Sequence, residues 1–259
     1  MREFLNEAHA HRDDGYGRAQ AQVRQELPKR FYEKVGFSTV DNGYAVELDG
    51  RRTKTPGGKE VVVPRAALAE MLVAEWEAQN GHIDPETMPV VRLINSALEA
   101  GDEVKPDLAG EIVKYCGNDL LLYRADSPHE LVAAQEAAWD SVLVALARHL
   151  EVKFQPTIGI IHQPQLPETL DRLSTTIADE SLIALAALVS ITGLTGSGLL
   201  AIALREDLID QDTAWAAAHV DEDHNIRLWG EDNEAAGRRA KRRLEYDAAF
   251  NVMTLLRHS

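Results

Sequence analysis

At 259 residues the chain is long enough to bury a sizeable core, and its 45% hydrophobic and 27% charged content are those of an ordinary globular protein. A formal net charge of -15 argues against a nucleic-acid partner, which needs a basic footprint. The single cysteine, Cys116, excludes an intramolecular disulfide and a cysteine-based zinc site. No apolar run approaches the roughly 20 residues that cross a bilayer, so membrane insertion is not expected.

Residues 1–27 are polar, with Gly15 and Gly17, and read as a mobile leader carrying a short helix near Ala19 to Glu26. They lack an apolar signal core, and Glu3, Glu7, Asp13 and Asp14 are residues that a mitochondrial transit peptide avoids. From Pro28 the pattern becomes β-rich. Phe31 to Val40 and Tyr44 to Leu48 are strands around an Asp41-Asn42-Gly43 turn, and Asp49-Gly50 is the pair that a type I′ hairpin prefers. Lys54 to Gly58 is a second turn, and Glu60 to Val63 a further strand.

Pro64 is placed to open a helix whose apolar face carries Leu68, Leu72 and Trp76. Helices follow over Val90 to Leu98 and Pro106 to Tyr115, and Leu120 to Tyr123 is short and apolar enough to return to the sheet. Beyond Ser127 strand signals nearly vanish. Ser127-Pro128-His129-Glu130 has capping-box spacing ahead of a helix to about Leu150, with Leu131, Gln135, Ala138 and Val142 on one face.

After an extended connection over Val152 to His162, helices are expected at Leu166 to Ala178, Ser181 to Ile191, Ser197 to Leu208, Asp212 to Trp229, and Asp232 towards Leu256. The last is aligned by Ala236, Ala240, Leu244, Ala248 and Val252, with Gly230 as the stop before it and Asp232 as its N-cap. The fold class is α+β: a leader at 1–27, a β-rich mixed domain at 28–125 and an all-α domain at 126–259.

The most informative stretch runs from Val220 to Asp232, where five of thirteen residues are Asp or Glu. On one helix, Trp215, Glu222, Ile226 and Trp229 share a face. A carboxylate in such a stripe is either paired within the fold or kept for a partner. Asp221-Glu222-Asp223-His224 also invites a metal or acid/base enzyme reading, but consecutive helical residues diverge by about 100° and two ligands make no closed site. The glycines of Thr192 to Gly198 fit no phosphate-binding motif and read as a close-packed turn between helices. The basic run Arg238, Arg239, Lys241, Arg242, Arg243 is a solvated helix face or the internal answer to nearby acids.

A series of short words in order then carries a resemblance. They are Arg30-Phe31-Tyr32, Leu48-Asp49-Gly50-Arg51, Lys54-Thr55-Pro56, Glu75-Trp76-Glu77-Ala78-Gln79, Ile83 with Pro85, and Met88-Pro89. Asp119-Leu120-Leu121, Tyr123-Arg124-Ala125, Trp139-Asp140, Asp221-Glu222 and Trp229-Gly230-Glu231-Asp232 complete the series. In these the chain resembles the assembly chaperones that hold the alpha subunit of F-type ATP synthase. Leu122, Asn225 and the uncapped Pro64-Arg65 depart from that pattern.

The resemblance implies a non-enzymatic chaperone without cofactor or metal. It would be monomeric when free, bind alpha where beta later sits, and act in a bacterial cytoplasm, or in a mitochondrial matrix if a transit peptide precedes this chain. It implies Glu222 as the contact to alpha, supported by Asp221, Trp229, Glu231 and Asp232, with Trp76 and Trp215 as structural anchors.

Overall fold

The computed structural model describes residues 27–257, so the helix expected near Ala19, and the leader apart from Leu27, lie outside the described residues. Strands β1 (Val35–Val40) and β2 (Gly43–Leu48) pair antiparallel, from Val35 opposite Leu48 to Val40 opposite Gly43. Asp49 and Gly50 take φ of 50° and 74°, as a type I′ turn requires at both central positions. The Asp49 carboxylate accepts the backbone N–H groups of Glu33 (3.1 Å) and Lys34 (2.8 Å), locking the turn to the start of β1. Strands β3 (Arg51–Arg52) and β4 (Val62–Val63) pair with successive parts of β2.

The first strand begins at Val35 rather than at the expected Phe31, because the segment before it is drawn onto the first helix. Tyr32 Oη donates to the Trp76 carbonyl at 2.7 Å, and Arg30 donates to the carbonyls of Glu77 and Gln79. That helix, α1 (Ala66–Glu77), packs on β1 and β2. Arg65 is its N-cap, and its side chain makes no capping hydrogen bond to the first turn. Helices α2 (Pro89–Ala100) and α3 (Lys105–Gly117) follow. The orphan N–H groups at the start of α2 are met by Glu75, whose carboxylate accepts from Val90 (2.8 Å) and Val91 (2.7 Å).

Leu120 to Tyr123 does not return to the first sheet. Leu120–Leu122 form a 3-10 turn, and β5 (Tyr123–Arg124) pairs in parallel with β6 (Thr157–Ile158) in a separate two-stranded sheet. The cause is Asp119. Its buried carboxylate accepts from Leu121 N, Ser197 Oγ and Leu199 N, tying this segment to the helical part of the chain.

The remaining helices are α4 (His129–Leu150), α5 (Pro167–Ile177), α6 (Leu182–Thr195), α7 (Gly198–Arg205), α8 (Gln211–Ala218), α9 (Val220–Trp229) and α10 (Asn233–Leu256). The capping box before α4 does not form. Pro128 holds the N-cap position, so Ser127 lies one residue too early, and its hydroxyl bonds Asp126 instead. Helix α6 is apolar all round and accordingly buried, touching α2, α3, α7 and α10. Buried side chains from Tyr32 to Leu256 make one contiguous cluster.

Two expected helix faces need correction. The single helix over Asp212 to Trp229 is two, broken at His219 (φ −117°, ψ 15°). Two carbonyls that would carry the helix onward are taken by side chains: His219 Nδ1 donates to Trp215 O at 2.7 Å, and Trp139 Nε1 to Ala217 O at 2.8 Å. Trp215 is therefore buried while Trp229 is 84% exposed, and they share no stripe. In α10, Ala248 and Val252 are buried, but Ala240 and Leu244 face outward. Steps of four residues advance about 40° each, so a long series with that spacing leaves the core face. Tyr246, Ala249, Met253 and Leu256 complete the true one.

Candidate functional site

Helix α9 opens with Asp221, Glu222 and Asp223, where negative charge suits the helix N-terminus. Gly230 (φ 86°) ends it, and Asp232 then caps α10 by accepting Ala235 N at 2.8 Å. This turn lays the basic run of α10 alongside the acids of α9. Each cation of the run finds its own answer. Arg238 pairs with Glu234, Arg239 with Asp223, Lys241 with Glu86 and Arg243 with Asp212 and Asp247, while Arg242 donates to the Leu194 carbonyl.

Glu222 is left out of that pairing. It lines an open groove of about 720 Å³ between α10 and the α1–α2 corner, with Glu75, Arg92, Arg239 and Arg242 among the other walls. Lys241–Glu86 (3.0 Å) and Arg92–Glu245 (2.7 Å) link the two sides. The Glu222 side chain is 39% exposed, and its nearest cation-forming group is His219 Nε2 at 3.9 Å. Burial lowers the His219 pKa, with help from Arg239 and Arg242, although its bond to the Trp215 carbonyl and the Glu222 charge pull the other way. The imidazole is neutral at pH 7, so that contact is no ion pair. Among the described residues, Glu222 is a half-open carboxylate with no arginine or lysine bonded to it.

The other expected site residues divide. Trp229 stands 84% exposed beside Leu228 at 57%, and Glu231 is exposed. Asp221 is tethered instead: Gln135 Nε2 donates to it at 2.8 Å while Gln135 Oε1 accepts from Ala125 N. Asp232 is committed to its cap. Trp215 is buried, its ring 4.1 Å from His219 and 5.0 Å from Tyr246. Trp76 is half-buried against Tyr32 at 5.6 Å and holds the segment before β1.

Gln135 was legible as an amide on an otherwise apolar helix face, but its link to Asp221 was not. Trp139 and Asp119 gave no signal of their long-range partners. His224 is buried with Nδ1 on Arg227 at 2.8 Å, so it and Asp221 are engaged separately, and no group of three His, Cys, Asp or Glu among the described residues could hold a metal ion. Of the Thr192–Gly198 glycines, Gly193 lies within α6, while Gly196 and Gly198 make the close-packed turn: a Cβ on Gly198 would lie 2.6 Å from the Ile112 carbonyl and 2.7 Å from Cys116 Sγ.

Residues 29–147 match the family described as ATP12 chaperone protein. The crystal structure of Atp12 from Paracoccus denitrificans is similar over 89% of this chain and 99% of that one, with a TM-score of 0.81 and 36% identity. The chain belongs to the ATP12 chaperone family. The Atu1473 protein of Agrobacterium tumefaciens is likewise similar, with a TM-score of 0.85 and 38% identity over 98% of this chain and 96% of that one. Protein atp12, mitochondrial, of Schizosaccharomyces pombe is 22% identical over 225 residues, 82% of this chain and 77% of that protein.

As an ATP12-family member the chain is a chaperone of ATP synthase assembly, with the α+β fold expected of it. Among the described residues, no helix is long and apolar enough to cross a membrane. Of these similar proteins, two are bacterial and one is mitochondrial.

Proposed function

We propose that this ATP12-family chaperone binds the free alpha subunit of F-type ATP synthase and holds it until beta takes its place, acting as a monomer in a bacterial cytoplasm and catalysing no reaction. The observation that carries this reading is the pairing of an exposed indole, Trp229, with the unpaired carboxylate of Glu222 on one short helix. Seven residues apart, the two fall on one face of that helix two turns from each other, and an exposed tryptophan is the kind of side chain that comes to dominate a protein interface. Glu222 and Trp229 make the contact, with Glu231 at the rim, while Asp221 and Asp232 hold α9 and the start of α10 in position.

The test is suppression of aggregation of purified alpha subunit, together with co-purification of the two chains. Wild type keeps alpha soluble, Glu222→Lys loses that activity and Trp229→Ala weakens it, while the circular dichroism of both is unchanged. Wild type that leaves alpha to aggregate and does not co-purify with it would remove the proposal.

A further inference from the structure

Glu75 faces the α10 groove, whereas Trp76, one residue on and about 100° round α1, lines a second pocket of about 530 Å³ together with Phe31, Leu48, Arg51, Arg52 and Lys54. Phe31 is 73% exposed, an unusual position for a phenylalanine ring. It is the outer member of an edge-to-face series, 5.4 Å from Tyr32, which in turn lies 5.6 Å from Trp76. The series is pinned from behind by Tyr32 Oη on the Trp76 carbonyl.

Cations outnumber carboxylates around this pocket, whose lining holds Arg51, Arg52 and Lys54 against Asp49. Arg51, Arg52 and Lys54 are clustered on one short segment of a chain whose net charge is -15. The carboxylates nearby are already occupied. Asp49, which also lines the pocket, accepts two backbone N–H groups that hold its pKa below the usual carboxylate range, and Glu60 pairs with Arg52 at 3.1 Å. Arg30 is spent on backbone carbonyls. Neither Arg51 nor Lys54 has a carboxylate partner among the described residues. The pocket thus joins apolar surface from Phe31, Leu48 and Trp76 to a rim on which Arg51 and Lys54 have no bonded carboxylate among the described residues.

We propose that this pocket is a second docking site, which receives an acidic segment of the client polypeptide carrying an apolar side chain. That side chain packs on Phe31 and Trp76, and its acidic neighbours meet Arg51 and Lys54. The assignment of occupant rests on charge complementarity and on the reading of alpha as the client. Two contacts on either side of α1 hold one client at two points, and a client linked at both binds more tightly than either contact allows alone.

The experiment measures affinity of the full chain for purified alpha subunit at low and high salt. Arg51→Glu with Lys54→Glu weakens binding about tenfold or more at low salt and flattens the salt dependence. Phe31→Ala weakens it about tenfold and leaves the salt dependence as in wild type. All three side chains are exposed, so the thermal midpoints stay at the wild-type value. A photo-reactive benzoylphenylalanine in place of Phe31 cross-links to an acidic stretch of alpha.

If wild type binds alpha and Glu222→Lys abolishes this, while the charge-reversed and Phe31→Ala variants bind as wild type does, the second site is refuted and the client reading stands. If wild type does not bind alpha, the client reading itself has failed. If the wild-type chaperone alone binds ATP or ADP and the charge-reversed variant does not, with alpha binding intact, the pocket is a nucleotide site and the proposal is overturned.

Discussion

Arg239 gives its guanidinium to Asp223, the neighbour of Glu222, and Glu222 stays in the groove without a bonded arginine or lysine among the described residues. On a helix, residues one apart diverge by about 100°, so one acid can be internally paired while the next is not. This makes the two carboxylates unequal under mutation.

Glu222→Lys leaves the fold intact, with a stability change within about 0.5 kcal/mol, as befits a half-exposed position. Asp223→Lys sets two cations together at Arg239 and loosens α9 from α10. Chemical denaturation of both variants checks the order; a Glu222→Lys protein that unfolds as readily as Asp223→Lys would show that Glu222 is structural.

The two tryptophans near the His219 break behave oppositely. Trp215→Ala removes a buried ring packed on His219 and Tyr246 and costs about 3–5 kcal/mol. Trp229→Ala removes an exposed ring and costs at most about 0.5 kcal/mol of stability, yet weakens client binding by about 1–2 kcal/mol. Urea midpoints and client affinities, measured side by side, separate the two; a Trp229→Ala protein that retains full affinity removes that indole from the interface.

Gly198→Ala tests the turn between α6 and α7. The added methyl meets the Ile112 backbone carbonyl, which cannot rotate aside as a side chain can. The expected loss is about 1–3 kcal/mol, read as a lower thermal midpoint, whereas Gly237→Ala, where nothing lies near the new Cβ, leaves the midpoint at or above wild type.

Asp119 gives a pH signature. Burial pushes its carboxyl up to about 7 from 3.8, although Leu199 N, Ser197 Oγ and Leu121 N favour the ionised form. Between those values the folded state holds more of the proton than the unfolded state does. Its contribution to stability is therefore full below about pH 4 and lost as pH rises through about 7. Urea midpoints of wild type fall over that window relative to Asp119→Asn, which has no proton to lose there. Parallel curves for the two proteins would show that Asp119 titrates lower.

Local chemistry was legible in the residues themselves. Asp49-Gly50 demanded a type I′ turn, Gly230 stopped one helix, and Asp232 capped the next. Each depends on atoms only a few residues apart, and such atoms meet wherever the chain goes. The α+β order of the two halves followed from the same short-range patterns.

The site could not be read in this way. The helix break depends on Trp139, which reaches the Ala217 carbonyl across 78 positions of sequence. Asp119 turns its segment away from the first sheet by bonding Ser197, again 78 positions away. Whether Glu222 was paired depended on which of its neighbours faced Arg239, and that was set by how α10 folds back along α9. Sequence supplied the charges, the rings and their spacing along the chain. Tertiary structure chose their partners, because a hydrogen bond or ion pair is decided by a few ångströms in space.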